Sequence, residues 1–216
     1  MNSYRVVGTD DKGFPVNLLQ SNVDLPERLW VRGKVLKRDS CAVAIVGSRH
    51  MSDYGAKMAR RFAGELAKNG VTVVSGMAKG IDGVAHQAAI DAGGRTIAVL
   101  GSGIDVVYPR EHEKLYELII KNGAVVSEFP AGTAPLPKNF LQRNRLIAAL
   151  SKVVLVVEGQ RRSGTLSIAN HAANLGVDVF AIPGRVDSAL SELPNYLIES
   201  GAGVARKPQD ILDVLR

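Results

Sequence analysis

The sequence predicts an α/β protein of the extended Rossmann-like kind: a mostly parallel sheet with helices on both faces, plus a short N-terminal extension. Three observations predict it. Six short apolar runs, at 42–46, 71–74, 96–100, 124–126, 153–157 and 177–182, are rich in β-branched residues and bounded by glycine, as strands buried on both faces are. Amphipathic segments of helical period lie between them. Strand and helix alternate through most of the chain, which makes the sheet parallel.

Residues 1–40 differ from the rest. They hold Pro15, Pro26 and two clusters of charge, and no helical period exceeds about two turns. Their apolar pieces, 16–19 and 29–31, suit strands or a short helix at a sheet edge, so 1–40 is expected to pack as an extension on a main domain of 41–216. In that domain Ala56, Ala59, Phe62, Ala63 and Leu66 recur at helical spacing and stop at Asn69-Gly70, a C-terminal stop signal. The segment 84–92 ends at Gly93-Gly94, and 111–121 ends at Asn122-Gly123. Segments 139–150, 165–175 and 208–215 follow the same logic.

Composition bounds the function. With 46% hydrophobic residues and 22 glycines among 216, the chain is a folded globular protein. Its net charge of +6 favours a polyanionic partner while saying nothing about fold. The single cysteine, Cys41, cannot form an internal disulfide and flanks an apolar run, which suits a small buried hydrophobe in a reducing compartment. The N-terminus shows no signal-peptide pattern and no run reaches the roughly 18 apolar residues of a membrane helix, so a cytoplasmic protein without a membrane partner is expected.

In parallel sheets, ligands bind outside the carboxyl ends of the strands. The turns after the six runs should therefore share one rim, and five of the six carry glycine. Glycine lets a backbone approach an anion, which makes Gly76, Lys79, Gly80, Gly101, Ser102 and Gly103 candidate phosphate contacts. Ser163-Gly164-Thr165 before a helix is another candidate, with an ordinary N-cap as the alternative. Neither G-x-G-x-x-G nor a Walker lysine motif is present, and His50, His86, His112 and His171 lack ligand spacing, so no cofactor and no metal are expected. Asp82, Asp105, Glu128 and Glu158 fall near strand ends. A pair of them suits acid–base work, but capping helices or pairing with rim arginines is the favoured reading. No nucleophile with a nearby base can be named, and no catalytic residue is assigned.

One stretch carries a sharper signal. Between Glu128 and Glu158 no acid appears, while Lys138, Arg143, Arg145 and Lys152 do, and Phe140 stands at a helix start. Cations for phosphates and a flat π surface for unstacked bases are what single-stranded nucleic acid requires. The bland alternative is a core phenylalanine beside a solvated charged face.

The turns also resemble a known family. A-I-V-G-S-R-H-M-S-D-Y-G (44–55), S-G-M-A-K-G-I-D-G-V-A-H (75–86), G-S-G-I-D-V-V-Y-P (101–109), P-L-P-K-N-F-L-Q-R-N-R-L-I-A-A-L-S (135–151) and S-G-T-L-S-I-A-N (163–170) look like DNA-processing protein A, the DprA/Smf family. F-P-V-N-L-L-Q (14–20) and D-L-P-E-R-L-W-V-R-G (24–33) are similar to the stretch preceding the family's domain. The resemblance implies a non-enzymatic, dimeric single-stranded DNA-binding protein that protects incoming DNA and loads the RecA recombinase in natural transformation. It implies DNA contacts from Gly47, Ser48 and Arg49 and from Lys138, Asn139, Phe140, Arg143, Asn144 and Arg145. The sequence departs from the family pattern at Leu141, where proline is usual, and the winged-helix module of many members is not expected in it. A nucleotide phosphoribohydrolase on a related fold is the enzymatic alternative. Its signature resembles the segment from Gly159 onward, but Leu166, Ser167 and Ile168 follow Thr165 where the catalytic glutamate belongs. A nucleotide sensor without turnover is the third reading.

Overall fold

A computed structural model of the protein describes residues 3–21, 24 and 26–216; residues 1–2, 22–23 and 25 of the N-terminal extension lie outside the described residues. One sheet of nine strands forms its centre. In chain order the elements are β1 (Arg5–Gly8), α1 (Val16–Gln20), β2 (Arg28–Gly33), β3 (Ala42–Val46), α2 (Asp53–Lys68), β4 (Thr72–Ser75), α3 (Ile81–Asp91), β5 (Thr96–Leu100) and α4 (Glu113–Asn122). They continue as β6 (Ala124–Ser127), α5 (Pro137–Ala149), β7 (Val153–Val156), α6 (Gly164–Asn174), β8 (Asp178–Ala181), α7 (Glu192–Glu199), β9 (Gly203–Val204) and α8 (Pro208–Leu212).

The strand order is β1-β2-β6-β5-β4-β3-β7-β8-β9. Strands β3 to β9 run parallel, while β2 pairs antiparallel with β6 and β1 with β2. The fold is therefore a mostly parallel α/β sheet, as the alternating runs predict, and the first strands add two antiparallel members to one edge.

Burial on both faces explains the runs. Along β3 every residue is buried, with Ala42, Ala44 and Val46 packing into one cluster beside α5, α6 and α7, and Val43 and Ile45 into another beside α2, α3 and α8. At about 25 cal/mol per Å² of apolar surface, such double burial stabilises a strand whose sequence carries no polar face. A third cluster joins Ala98, Leu100 and Val125 to Leu115, Tyr116 and Ile119 of α4.

Helix α7 and strand β9 go beyond the predicted runs. Pro194 lies in the first turn of α7, where its missing N–H has no intrahelical partner to lose, so a proline there does not break a helix. Strand β9 is two residues long, too short to show a period. No helix among the described residues is long and apolar enough to cross a membrane.

The chain leaves β3 toward β4, β5 and β6, then α5 carries it back across to β7 on the other side of β3. That reversal opens a crevice above the ends of β3 and β7, the general ligand position of open α/β sheets.

Candidate nucleic-acid interface

A cavity of about 600 Å³ occupies this crevice, with Gly47, Ser48, Arg49 and His50 after β3 on one side. The start of α5 and the turn from Gly159 into α6 complete its walls. The β3 turn is fixed by its backbone. Ser48 donates its N–H to the Glu158 carbonyl and accepts the Ile81 N–H on its own carbonyl, while its hydroxyl donates to the His50 carbonyl and accepts the His50 N–H. Gly47 is required there, because a Cβ would stand 2.7 Å from Ile81 and 2.9 Å from the Glu158 carbonyl oxygen. Gly80 is required on a second ground: its φ of +76° is left-handed, and it meets the Ser48 carbonyl.

Arg49 leaves this turn exposed to solvent, in no ion pair among the described residues, with its guanidinium carbon 5.6 Å from the centre of the Phe140 ring. Tyr108, from the turn after β5, packs tilted against the same ring at 5.5 Å. Phe140 is half-buried against Gly101, whose bare backbone lets the ring approach. The site thus presents a free cation over an aromatic at the mouth of the cavity. A guanidinium so placed favours the ring face electrostatically and stays available to an anion. Tyr108 and His50 both line the cavity and were absent from the predicted contacts. The Y-P dipeptide on the rim and the residue after the Gly-Ser-Arg turn are the only sequence signals that mark them.

Helix α5 divides its polar residues otherwise than its charge suggests. Pro137 opens the helix, Lys138 is exposed, and Leu141, a lining residue of the cavity, is 56% exposed. Asn139, Arg143 and Asn144 are each 4% exposed. Asn139 donates to the Ala134 carbonyl at 3.1 Å, closing the turn before the helix. Asn144 donates to the Gly164 carbonyl at 3.1 Å and ties α5 to the start of α6. Arg143 donates to the carbonyls of Gly76 and Val99 under the rim, with its guanidinium carbon 5.8 Å from the Phe140 ring centre. Burial pushes its pKa down to about 10, which Asp82 opposes and Arg49 reinforces.

Within 138–145, expected as a whole to face a ligand, Arg145 is engaged inside the chain. Its guanidinium makes a two-pronged pair with Glu128 at 2.7 and 2.8 Å, the carboxylate side chain being 4% exposed. The acid-free window began one residue after that partner. Arg143 lines the cavity with its Nη1 on two carbonyls and its Nε buried without a partner.

The rim candidates sort in the same way. Gly76 and Gly101 give room to Arg143 and Phe140, and a Cβ on Gly103 would strike the Pro130 carbonyl at 2.7 Å. Ser102 is buried and donates to Val106, and Lys79 pairs with Glu111 at 2.7 Å. Of the predicted phosphate contacts, Ser163, Gly164 and Thr165 line the cavity.

All four rim acids are engaged. Glu158 accepts from the Ser52 backbone and hydroxyl and so holds the start of α2; Glu128 pairs with Arg145; Asp105 accepts from the Gly132 N–H at 2.7 Å. Asp82 accepts from the Gly76 and Ala78 N–H groups at 3.2 and 3.4 Å, and burial raises its pKa. Among the described residues no group of three or more His, Cys, Asp and Glu is placed to hold a metal ion.

Comparison with known proteins decides the lineage. Residues 5–216 match the family described as DNA recombination-mediator protein A. The chain belongs to that family. Protein Smf of Escherichia coli is 44% identical over 99% of this chain, and DNA processing protein DprA of Streptococcus pneumoniae is 42% identical over 88%. The chain spans 57% of the E. coli protein and 52% of the Synechocystis Smf protein, about half the length of these relatives. The X-ray structure of S. pneumoniae DprA superposes with a TM-score of 0.91 at 40% identity, covering 98% of this chain and 74% of that one. A Helicobacter pylori DNA processing protein A, described for its unique single-stranded DNA-binding mode, superposes at 0.85 with 32% identity, covering 99% and 95%. A molybdenum cofactor binding protein of Rippkaea orientalis, 20% identical over 81% of this chain and 93% of that one, shares the fold at 0.56.

Proposed function

We propose that this member of the recombination-mediator family binds single-stranded DNA across the crevice, without catalysing a reaction on it. The observation that carries the reading is Arg49, a solvent-exposed guanidinium over the half-buried Phe140 at the cavity mouth. A strand needs one cation per phosphate held and a π face for an unstacked base, and this pair supplies both within one contact. Lys138, exposed at the start of α5, is the second cation of the groove. The described relative from H. pylori supports the choice of ligand. Following the family, the chain would protect incoming DNA in the cytoplasm, act as a dimer and help load the RecA recombinase.

The non-catalytic part of the reading is supported by the rim acids, each already committed to a backbone N–H or an arginine. It predicts no base released from nucleoside monophosphates, and release of free base would reinstate a phosphoribohydrolase. Anisotropy titration of a labelled oligonucleotide across salt tests the binding. Arg49→Ala and Lys138→Ala should each weaken binding on every sequence and lower the logarithmic salt slope by about 0.7. Wild-type affinity in both variants would sink the proposal. Tighter binding of mononucleotides than of the oligonucleotide would favour a sensor.

A further inference from the structure

The rim glycines fall into two kinds. At Gly47, Gly76, Gly80, Gly101 and Gly103 an added Cβ would come within 2.2–2.7 Å of this chain's own atoms, so the fold demands them. Gly164 differs. The nearest atom to its Cβ would be Asn144 Nδ2 at 3.9 Å, and its φ lies outside the left-handed region. It is the first residue of α6, and glycine favours a helix less than alanine does. Nothing inside the chain needs its bare backbone, yet it opens on the cavity.

Two further observations fall on the same turn. Ser163 occupies the N-cap position of this eleven-residue helix, but its side chain makes no cap hydrogen bond. Ser163 is a lining residue of the cavity, and its hydroxyl oxygen is buried without a hydrogen-bond partner. A buried hydroxyl without a partner is unfavourable unless a ligand supplies one. Beside it, Arg161 is anchored with its guanidinium 3.9 Å over the Tyr196 ring and its N–H on Glu192. Arg162 is exposed and makes no ion pair among the described residues.

We propose that the turn from Arg162 to Thr165 is a phosphate subsite of the crevice. It takes one phosphate of a nucleic-acid strand against the first amides of α6, the Ser163 hydroxyl and the Arg162 guanidinium. Helix-start amides point at an anion and carry the positive end of the helix dipole, and the missing Cβ of Gly164 lets a phosphate oxygen reach them. The proposal rests on the single-strand reading and adds to it a second point of grip. Arg49 and Phe140 hold the strand from the β3 side of the cavity, and α6 holds it from the β7 side. An internal phosphodiester and a 5′-terminal phosphate share this chemistry.

The test uses the full chain with oligothymidylates carrying either a 5′-hydroxyl or a 5′-phosphate, read by anisotropy, with a thermal melt of each variant. Gly164→Ala should melt at or above wild type, because alanine favours the helix. It should nonetheless bind about tenfold more weakly, through the loss of a charge-assisted contact. Arg162→Ala, at an exposed position, should lower the logarithmic salt slope by about 0.7. A 5′-phosphate preference in wild type that disappears in Gly164→Ala assigns the terminal phosphate; equal loss on both oligonucleotides assigns the internal diester. Wild-type affinity in Gly164→Ala, or a wild-type slope in Arg162→Ala, overturns the subsite. If Arg49→Ala still weakens binding in that case, the single-strand reading survives alone. Absence of binding by the wild-type chain removes both.

Discussion

Removing Arg143 separates what holds the site together from what the site holds. Its Nη1 donates to the Gly76 carbonyl at 3.0 Å and to the Val99 carbonyl, each one residue past the last β4–β5 pair, Ser75 with Ala98. In Arg143→Ala those two carbonyls lose charge-assisted donors worth about 1.5–3 kcal/mol each. Asp82 loses the cation beside it, and the Phe140 ring loses a neighbour. The burial that pushes the guanidinium down to about 10 is relieved at the same time and offsets part of the loss. The net expectation is about 3 kcal/mol, since removing one member of a buried charged cluster is costly. For a chain of this length that lowers Tm by about 6–12 °C. Circular dichroism melts check this, with anisotropy titrations across salt on the same samples. Arg143→Ala should lose stability and keep the wild-type salt slope at temperatures where it is folded, whereas Arg49→Ala should keep its Tm and lose slope. A wild-type Tm in Arg143→Ala together with a reduced slope would refute the assignment and make Arg143 a DNA-facing cation.

Two more outcomes test the buried polar groups. The Thr96 hydroxyl donates to the Val73 carbonyl, so His86 carries its proton on Nδ1, 2.6 Å from that oxygen, while Nε2 is buried without a partner. Burial, then His112 and Arg143, push its pKa from 6.5 to about 3. Below pH 6.5 the unfolded chain takes a proton that the folded chain refuses, so stability falls as pH drops through the window from 6.5 toward 3, by about 2 kcal/mol at pH 5. In urea titrations at pH 7.5 and 5, His86→Asn, which keeps a donor near Thr96 but does not titrate, should lose about 2 kcal/mol less than wild type; equal losses would contradict the pKa. Arg145→Ala should strand the Glu128 carboxylate and cost about 3 kcal/mol. Arg145→Ala/Glu128→Ala should regain part of it, and a lowered salt slope with unchanged stability would show that Arg145 meets DNA instead.

Much of the fold was legible because the sheet is parallel and doubly covered. Strands β3 and β5 are wholly buried, so hydrophobic run and strand coincide at 42–46 and 96–100. Strand β4 runs one residue past its apolar run because Ser75 is buried with its hydroxyl donating to the Ile45 carbonyl, a polar residue a hydrophobicity pattern assigns to the turn. Residues after 182 were less legible, since α7 carries a proline and β9 is held mainly by its neighbour β8.

The site was half legible, and α5 shows why. Its buried positions carry Asn139, Arg143 and Asn144, which in sequence look like a ligand-facing basic stripe. At the carboxyl rim of a parallel sheet the ladder stops while the loops cross over packed helices, leaving carbonyls such as Val99 and Gly76 in need of donors away from water. A helix that lies on such a rim must supply those donors from its inner face, and only long or amide-bearing side chains reach. Charge density alone cannot separate this demand from that of a phosphate, since both select donors without acceptors. Helical phase separates them for Arg143: Asn139, Arg143 and Ile147 lie on one inward line, whereas 138, 141 and 142 face outward. Applied to α5, that phase sends Arg143 to the carbonyls of the rim; Arg145, two turns on from Lys138, shares the outward side, and it is the Glu128 carboxylate that engages it.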